Sequence, residues 1–169
     1  MRQQTASWFG LAGCALHAIG SPVQADHELS TTRLIPFRRE LIFRAIGEPE
    51  YLAQWWGPAG FRSTIHEFEF RPGARWRLTL HGPDGTDYEN EYFLLHVAEP
   101  HRVVISHPDP MHVFELSITL TEEGNSTRLE WQQRFESAQH SQEVKSFVET
   151  ANEQVLDRLE AVLATLAGV

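Results

Sequence analysis

The sequence predicts an α+β domain in which a curved antiparallel sheet wraps one long C-terminal helix, with two short helices after the first strand. Three observations carry this. Residues 61–135 run in stretches of alternating apolar and polar residues separated by turn chemistry, the period of half-buried antiparallel strands. Residues 141–166 place apolar side chains at three- and four-residue steps with no Pro or Gly among them, the period of an amphipathic helix. Two short segments bounded by Pro and Gly, with helical spacing, lie between the first strand-like run and the others.

The first run, ELSTTRLI at 28–35, alternates weakly, as an edge strand does. Pro36 then opens PFRRELIFRAIG, in which Phe37, Leu41 and Ala45, flanked by Ile42 and Ile46, make one apolar face ended by Gly47. Glu48-Pro49 starts the second short helix. There Leu52, Trp55 and Trp56 fall at i, i+3 and i+4, so both tryptophans reach one side before Gly57-Pro58 stops the helix.

The strand expected at 61–70 slips phase near Ile65 and His66, which reads as a bulge. Arg71-Pro72-Gly73 turns into ARWRLTLH, with Ala74, Trp76, Leu78 and Leu80 on one face, and GPDG at 82–85 makes a hairpin turn. Strands follow at 88–97 and 102–107; alternation leaves open whether Tyr88 and Tyr92 or Phe93 and Leu95 point inward. HVFELSITL puts His112, Phe114, Leu116, Ile118 and Leu120 on one face, and STRLEWQQRF puts Thr127, Leu129, Trp131, Gln133 and Phe135 on one face. The last helix carries Val144, Phe147, Val148, Ala151, Val155, Leu159, Val162, Leu163 and Leu166.

A chain of 169 residues, 41% hydrophobic and 22% charged, suits one domain with a sizeable core, placed at 28–167 behind an extension at 1–27. The formal charge of -9, with no cluster of Lys and Arg, argues against nucleic acid as a partner. One cysteine, Cys14, excludes an intramolecular disulfide and a multi-cysteine zinc site. The apolar run from Trp8 to Ile19 with Val23-Gln24-Ala25 has features of an export signal, and LAGC at 11–14 is similar to a lipid-attachment box; neither is complete, so the expected location is cytoplasmic with export as the alternative. No other apolar stretch approaches the ~20 residues of a membrane-spanning helix.

The strings FRRELIFRAIGEPEYLAQWWGP, FRPGARWRLTL, HGPDGTDYENEYFLLHVAEPHRVVISH and SITLTEEGNSTRLEWQQRF, in this order of elements, resemble the activator of heat-shock protein 90 ATPase homologue family. That family belongs to the START-like, helix-grip superfamily, also called SRPBCC. The resemblance covers about residues 28–167, and its Trp-Trp-Gly-Pro and Pro-Gly-x-x-Trp elements are its most specific part. It departs at Gly73-Ala74, where the family ordinarily has Gly-Gly. The resemblance implies a helix-grip fold whose members bind varied hydrophobic ligands, bacterial single-domain relatives, and a link through the family's name to a eukaryotic co-chaperone and the stress response.

Three functional readings stand side by side. The first is a carrier or sensor of a small apolar molecule held between sheet and helix, walled by Trp76, Tyr92, Phe114, Trp131 and Phe147, with His112 or Gln133 giving a polar contact at the mouth and Trp56 at the rim. Against it stands the plainer reading of the same aromatics as core. The second is a co-chaperone-like module that binds another protein, or a second copy, through the Trp56 region. The third is a cyclase- or hydrolase-like enzyme using pocket His or Tyr as acid and base. HPDPMH brings His107, Asp109 and His112 around one turn, yet its spacing matches no metal motif, and a polar hairpin tip explains it as well. No catalytic residue, cofactor or metal is assigned.

Overall fold

The computed structural model describes residues 27–110 and 112–169. The signal-like segment and Cys14 lie outside the described residues. The order of elements is β1 (Glu28–Ile35), α1 (Arg39–Gly47), α2 (Pro49–Trp55), β2 (Arg62–Glu67), β3 (Arg75–His81), β4 (Asp87–Ala98), β5 (Arg102–His107), β6 (Phe114–Glu123), β7 (Ser126–Phe135) and α3 (Ala138–Ala167). The strands form one antiparallel sheet in the order β1-β7-β6-β5-β4-β3-β2. Hairpins join neighbours from β2 to β7, and α1 and α2 carry the chain from β1 at one edge to β2 at the other.

Inward positions follow from the period of two. On β7, Thr127, Leu129, Trp131, Gln133 and Phe135 are all buried, and the residues between them are exposed. Register sets Trp131 between Thr31 on β1 and Ile118 on β6. On β4, Tyr92 and Leu94 point inward while Tyr88 and Leu95 are exposed, which answers what alternation alone left open. A register shift between Leu94 and His96 re-phases the rest of that strand, and the expected bulge in β2 is the shift between Ile65 and Glu67.

Helix α3 begins at a cap in which Ser137 Oγ accepts the N–H of His140 over 3.2 Å, and ends at Gly168, whose φ of 76° suits glycine. It packs on β1, β7 and the two short helices. Val155, Leu156, Leu159, Val162 and Leu163 face the core, and Arg33 on β1 holds the helix edge by bonding Glu153, Asp157 and Glu160. Those three carboxylates hold the Arg33 guanidinium above its ordinary pKa, against the opposing effect of burial.

Several boundaries differ from the sequence expectation. Helix α1 starts at Arg39 rather than Pro36, because the carbonyl of Phe37 is taken by Thr127 Oγ over 2.7 Å and the first helical bonds run to Arg38. Strand β2 stops at Glu67 rather than residue 70: Phe68 and Phe70 leave the sheet and pack on Trp76 and Phe43, with ring centroids 5.5 and 5.1 Å apart. Phe70 can reach Phe43 because Gly47 gives way to its ring; a Cβ on Gly47 would sit 2.6 Å from Phe70 Cδ1. Strand β6 starts at Phe114, leaving His112 in a turn closed by its N–H on the carbonyl of Asp109 at 2.8 Å.

Candidate functional site

The two adjacent tryptophans take different places. Trp55 is fully buried and its indole N–H donates to the carbonyl of Ala45 over 3.0 Å, which ties α2 to α1. Trp56 lies one residue beyond the helix, with ψ of 114°, and turns under α3. Gly57 follows at a φ of 114°, a conformation that sends the chain away from the ring and that L side chains rarely adopt. Arg158 on α3 fixes this corner: its guanidinium donates to the carbonyls of Gln54, Gly57 and Pro58 at 2.8, 2.5 and 3.1 Å. The Gln54 carbonyl belongs to the last turn of α2, where a cation is favoured, and the Gly57 and Pro58 carbonyls lie in the turn that follows. Burial pulls the Arg158 pKa down.

Beside Trp56, between the first half of α3 and the inner face of β3 to β7, lies a cavity of about 180 Å³. Its walls include Trp56, Leu80, Tyr92, Phe114 and Trp131, with Phe147, Val148, Ala151 and Val155 from α3. No Lys, Arg, Asp or Glu lines it. The rings interlock: Trp56 meets Trp131 and Tyr92 at 5.7 Å each, Tyr92 meets His107 at 4.8 Å, and His107 stacks on Phe114 at 4.9 Å. Burial pushes the Tyr92 hydroxyl up to about 12.

Polar groups enter from two sides. Toward the turn after β5, His107 Nδ1 lies 2.9 Å from the carbonyl of His112, so that nitrogen carries a proton, and Nε2 lies 3.2 Å from Asn90 Oδ1. His112 Nδ1 is 3.1 Å from His140 Nε2 on the first turn of α3. Burial, then the neighbouring His140 and His107, lower the pKa of His112. Under α3, Trp131 Nε1 donates to Gln133 Oε1 at 3.4 Å, and Asn152 Nδ2 donates to the same oxygen at 2.9 Å and to Thr31 Oγ at 3.4 Å.

Of the residues singled out in the sequence, Trp56, Tyr92, His112, Phe114, Trp131, Gln133 and Phe147 line this one cavity. Trp76 does not. It is 1% exposed and packs behind Trp56 and Tyr92 at 4.6 and 4.8 Å, because the corner after α2 pushes Trp56 between it and the cavity. Trp56 is buried at 6% exposure, whereas the docking reading expected it on the surface. Phe147 is 70% exposed and stands at the opening. Gln133 is in the interior rather than at the mouth.

Asn90, His107 and Asn152 join the cavity without having been named for it. Asn152 had a signal, as a polar residue four after Val148 and three before Val155 on an apolar helix face. Among the described residues no group of three or more His, Cys, Asp or Glu is arranged to hold a metal, and no helix is long and apolar enough to cross a membrane. A wider groove of about 570 Å³ involves His66, Arg77, Glu89, Glu91 and Asp109; it is charged and holds none of the clustered aromatics.

Comparison with known proteins adds the family. The fold is shared with a protein from Nitrosomonas europaea at 19% identity and a TM-score of 0.78, over 86% of this chain and 99% of that one. A protein from Arthrobacter aurescens matches at 21% identity and 0.77, over 83% and 87%. The AHSA1 protein of Silicibacter pomeroyi matches at 23% identity and 0.66, over 82% and 98%. No curated protein matches the chain. The family model described as activator of Hsp90 ATPase homolog 1-like protein matches residues 36–164, which run from the approach to α1 almost to the end of α3 and include every cavity-lining residue. The chain belongs to this family of activator of Hsp90 ATPase homolog 1-like proteins and has the helix-grip fold.

Proposed function

We propose that the protein binds a small hydrophobic molecule in the cavity between sheet and α3, as a carrier or sensor. One observation carries the reading: aromatic side chains from the corner after α2 and from β4, β6, β7 and α3 converge on one space that no formally charged side chain lines. A core whose only task is stability closes such space, since interiors pack densely and unfilled volume costs stability. An opening edged by an exposed Phe147 gives a route in and an apolar lip. Trp56 serves this reading as a wall, and its burial leaves little ring for docking a protein partner.

The test is native against denaturing mass spectrometry of freshly purified protein, with an Ala151→Phe variant alongside. An organic adduct lost on denaturation, and absent from the variant whose added ring fills the cavity, supports the reading. An adduct kept by Ala151→Phe places the ligand elsewhere.

A further inference from the structure

We propose that the ligand of this cavity is an uncharged aromatic molecule of about one ring, carrying a neutral group such as a carboxamide or hydroxyl that accepts a hydrogen bond from Gln133 Nε2 and donates one to Asn152 Oδ1. This rests on the cavity reading above and specifies its chemistry.

The direction of the polar chain is fixed by one donor. The Trp131 indole N–H only donates, so the atom of Gln133 that faces it is the oxygen. Asn152 then presents its amide nitrogen to that oxygen, and the other proton of the same nitrogen goes to Thr31 Oγ. Both side chains are therefore held in one orientation with half of each amide used. Gln133 Nε2 and Asn152 Oδ1 have no protein partner among the described residues, though Gln133 is 7% exposed and Asn152 5%. Both residues line the cavity.

Neither atom is sealed from solvent, unlike Ser63 Oγ and Trp76 Nε1, which are buried without a partner; both keep access on the cavity side, and a ligand that bonds them takes the place of water there. The complementary group has an acceptor and a donor side by side, as a carboxamide or hydroxyl does. Charge is selected against, because a carboxylate would lose its hydration with no cationic side chain in the lining to meet it. Size follows from volume: an engineered apolar cavity of roughly 150 Å³ takes benzene, and this one holds about 180 Å³. Trp56, Trp131 and Phe114 give faces and edges for such a ring.

The test is a titration at pH 8 with three near-isosteric probes, toluene, benzamide and benzoate, followed by tryptophan fluorescence and by 1H–15N spectra. Benzamide is expected to bind about five- to tenfold tighter than toluene, and benzoate at least about tenfold weaker than benzamide. In Gln133→Met, which keeps the volume and removes both the donor and the oxygen that orients Asn152, benzamide should fall to within about twofold of toluene. Toluene bound as tightly as benzamide would leave the cavity reading standing and overturn this inference, as would benzoate binding tightest or a Gln133→Met variant with unchanged preference. Failure of all three probes would remove the cavity reading and this inference with it. Should Gln133→Met not fold, the order of the three probes on the natural sequence decides alone.

Discussion

Asn152 on α3 donates from Nδ2 to Gln133 Oε1 on β7 over 2.9 Å, a buried polar tie between the helix and the sheet it crosses. Together with Arg33, whose ion pairs to Glu153, Asp157 and Glu160 lie at the helix edge, this pair helps set which face of the helix meets Trp131. Replacing Asn152 by Leu strands one lone pair of Gln133 and the Thr31 hydroxyl in the interior. The expected cost is about 1–3 kcal/mol, read from urea unfolding. Adding Gln133→Leu removes the stranded amide but leaves the Trp131 indole N–H and the Thr31 hydroxyl without partners, so it should recover less than half of the loss.

Arg158 ties α3 to the end of α2 and so holds the corner that carries Trp56. Arg158→Leu keeps much of the stem packing and loses three bonds to carbonyls. Stability should fall by about 1.5–3 kcal/mol, and the tryptophan emission should shift to the red as the Trp56 ring gains access to water. An unchanged emission with lowered stability would separate the corner from the ring.

Gly47 and Phe70 meet where no Cβ fits. Gly47→Ala should destabilise by roughly 1–3 kcal/mol through overpacking. Combined with Phe70→Leu, which removes the ring edge, the alanine should cost markedly less than it does alone, measured by thermal unfolding of the four proteins in the cycle.

Burial pushes Tyr92 up from 10.0 to about 12. The unfolded chain loses this proton first, so the stability it contributes is complete below pH 10 and is lost as pH rises from 10 toward 12. The change is about 3 kcal/mol at most. Tyr92→Phe should flatten that alkaline slope in urea unfolding at pH 9 to 11.

His112 has the opposite sense for its type, since its pKa is lowered by burial first and by His140 and His107 next. Neutral His112 stabilises the fold above the unfolded value near 6.5, and that contribution fades as pH falls through the lowered folded value. His112→Asn should make stability less sensitive to pH below 6.5.

Alternation and turn chemistry made most of the sheet legible. β1, β5 and β7 lie where the patterns of 28–35, 102–107 and 126–135 put them, because each has one buried face and clear breaks. Ends set by a tertiary partner were not legible: the start of α1 depends on Thr127, distant in sequence, and the end of β2 depends on Phe70 finding Phe43. At the cavity the aromatic walls could be anticipated because their period places them inward. That Trp76 sits behind Trp56 could not, since it depends on how the corner after α2 folds over β3. The unspent halves of Gln133 and Asn152 depend on a bond between residues 19 apart on different elements.

The most direct measurement of the central claim is the indole N–H region of the 1H–15N spectrum during titration with toluene. Trp56 and Trp131 line the cavity, whereas Trp55 and Trp76 are packed away from it. A ligand in the cavity should move the Trp56 and Trp131 signals saturably and leave Trp55 and Trp76 nearly in place. Signals that stay fixed up to the solubility of toluene, or that all move together without saturating, would contradict a binding cavity under α3.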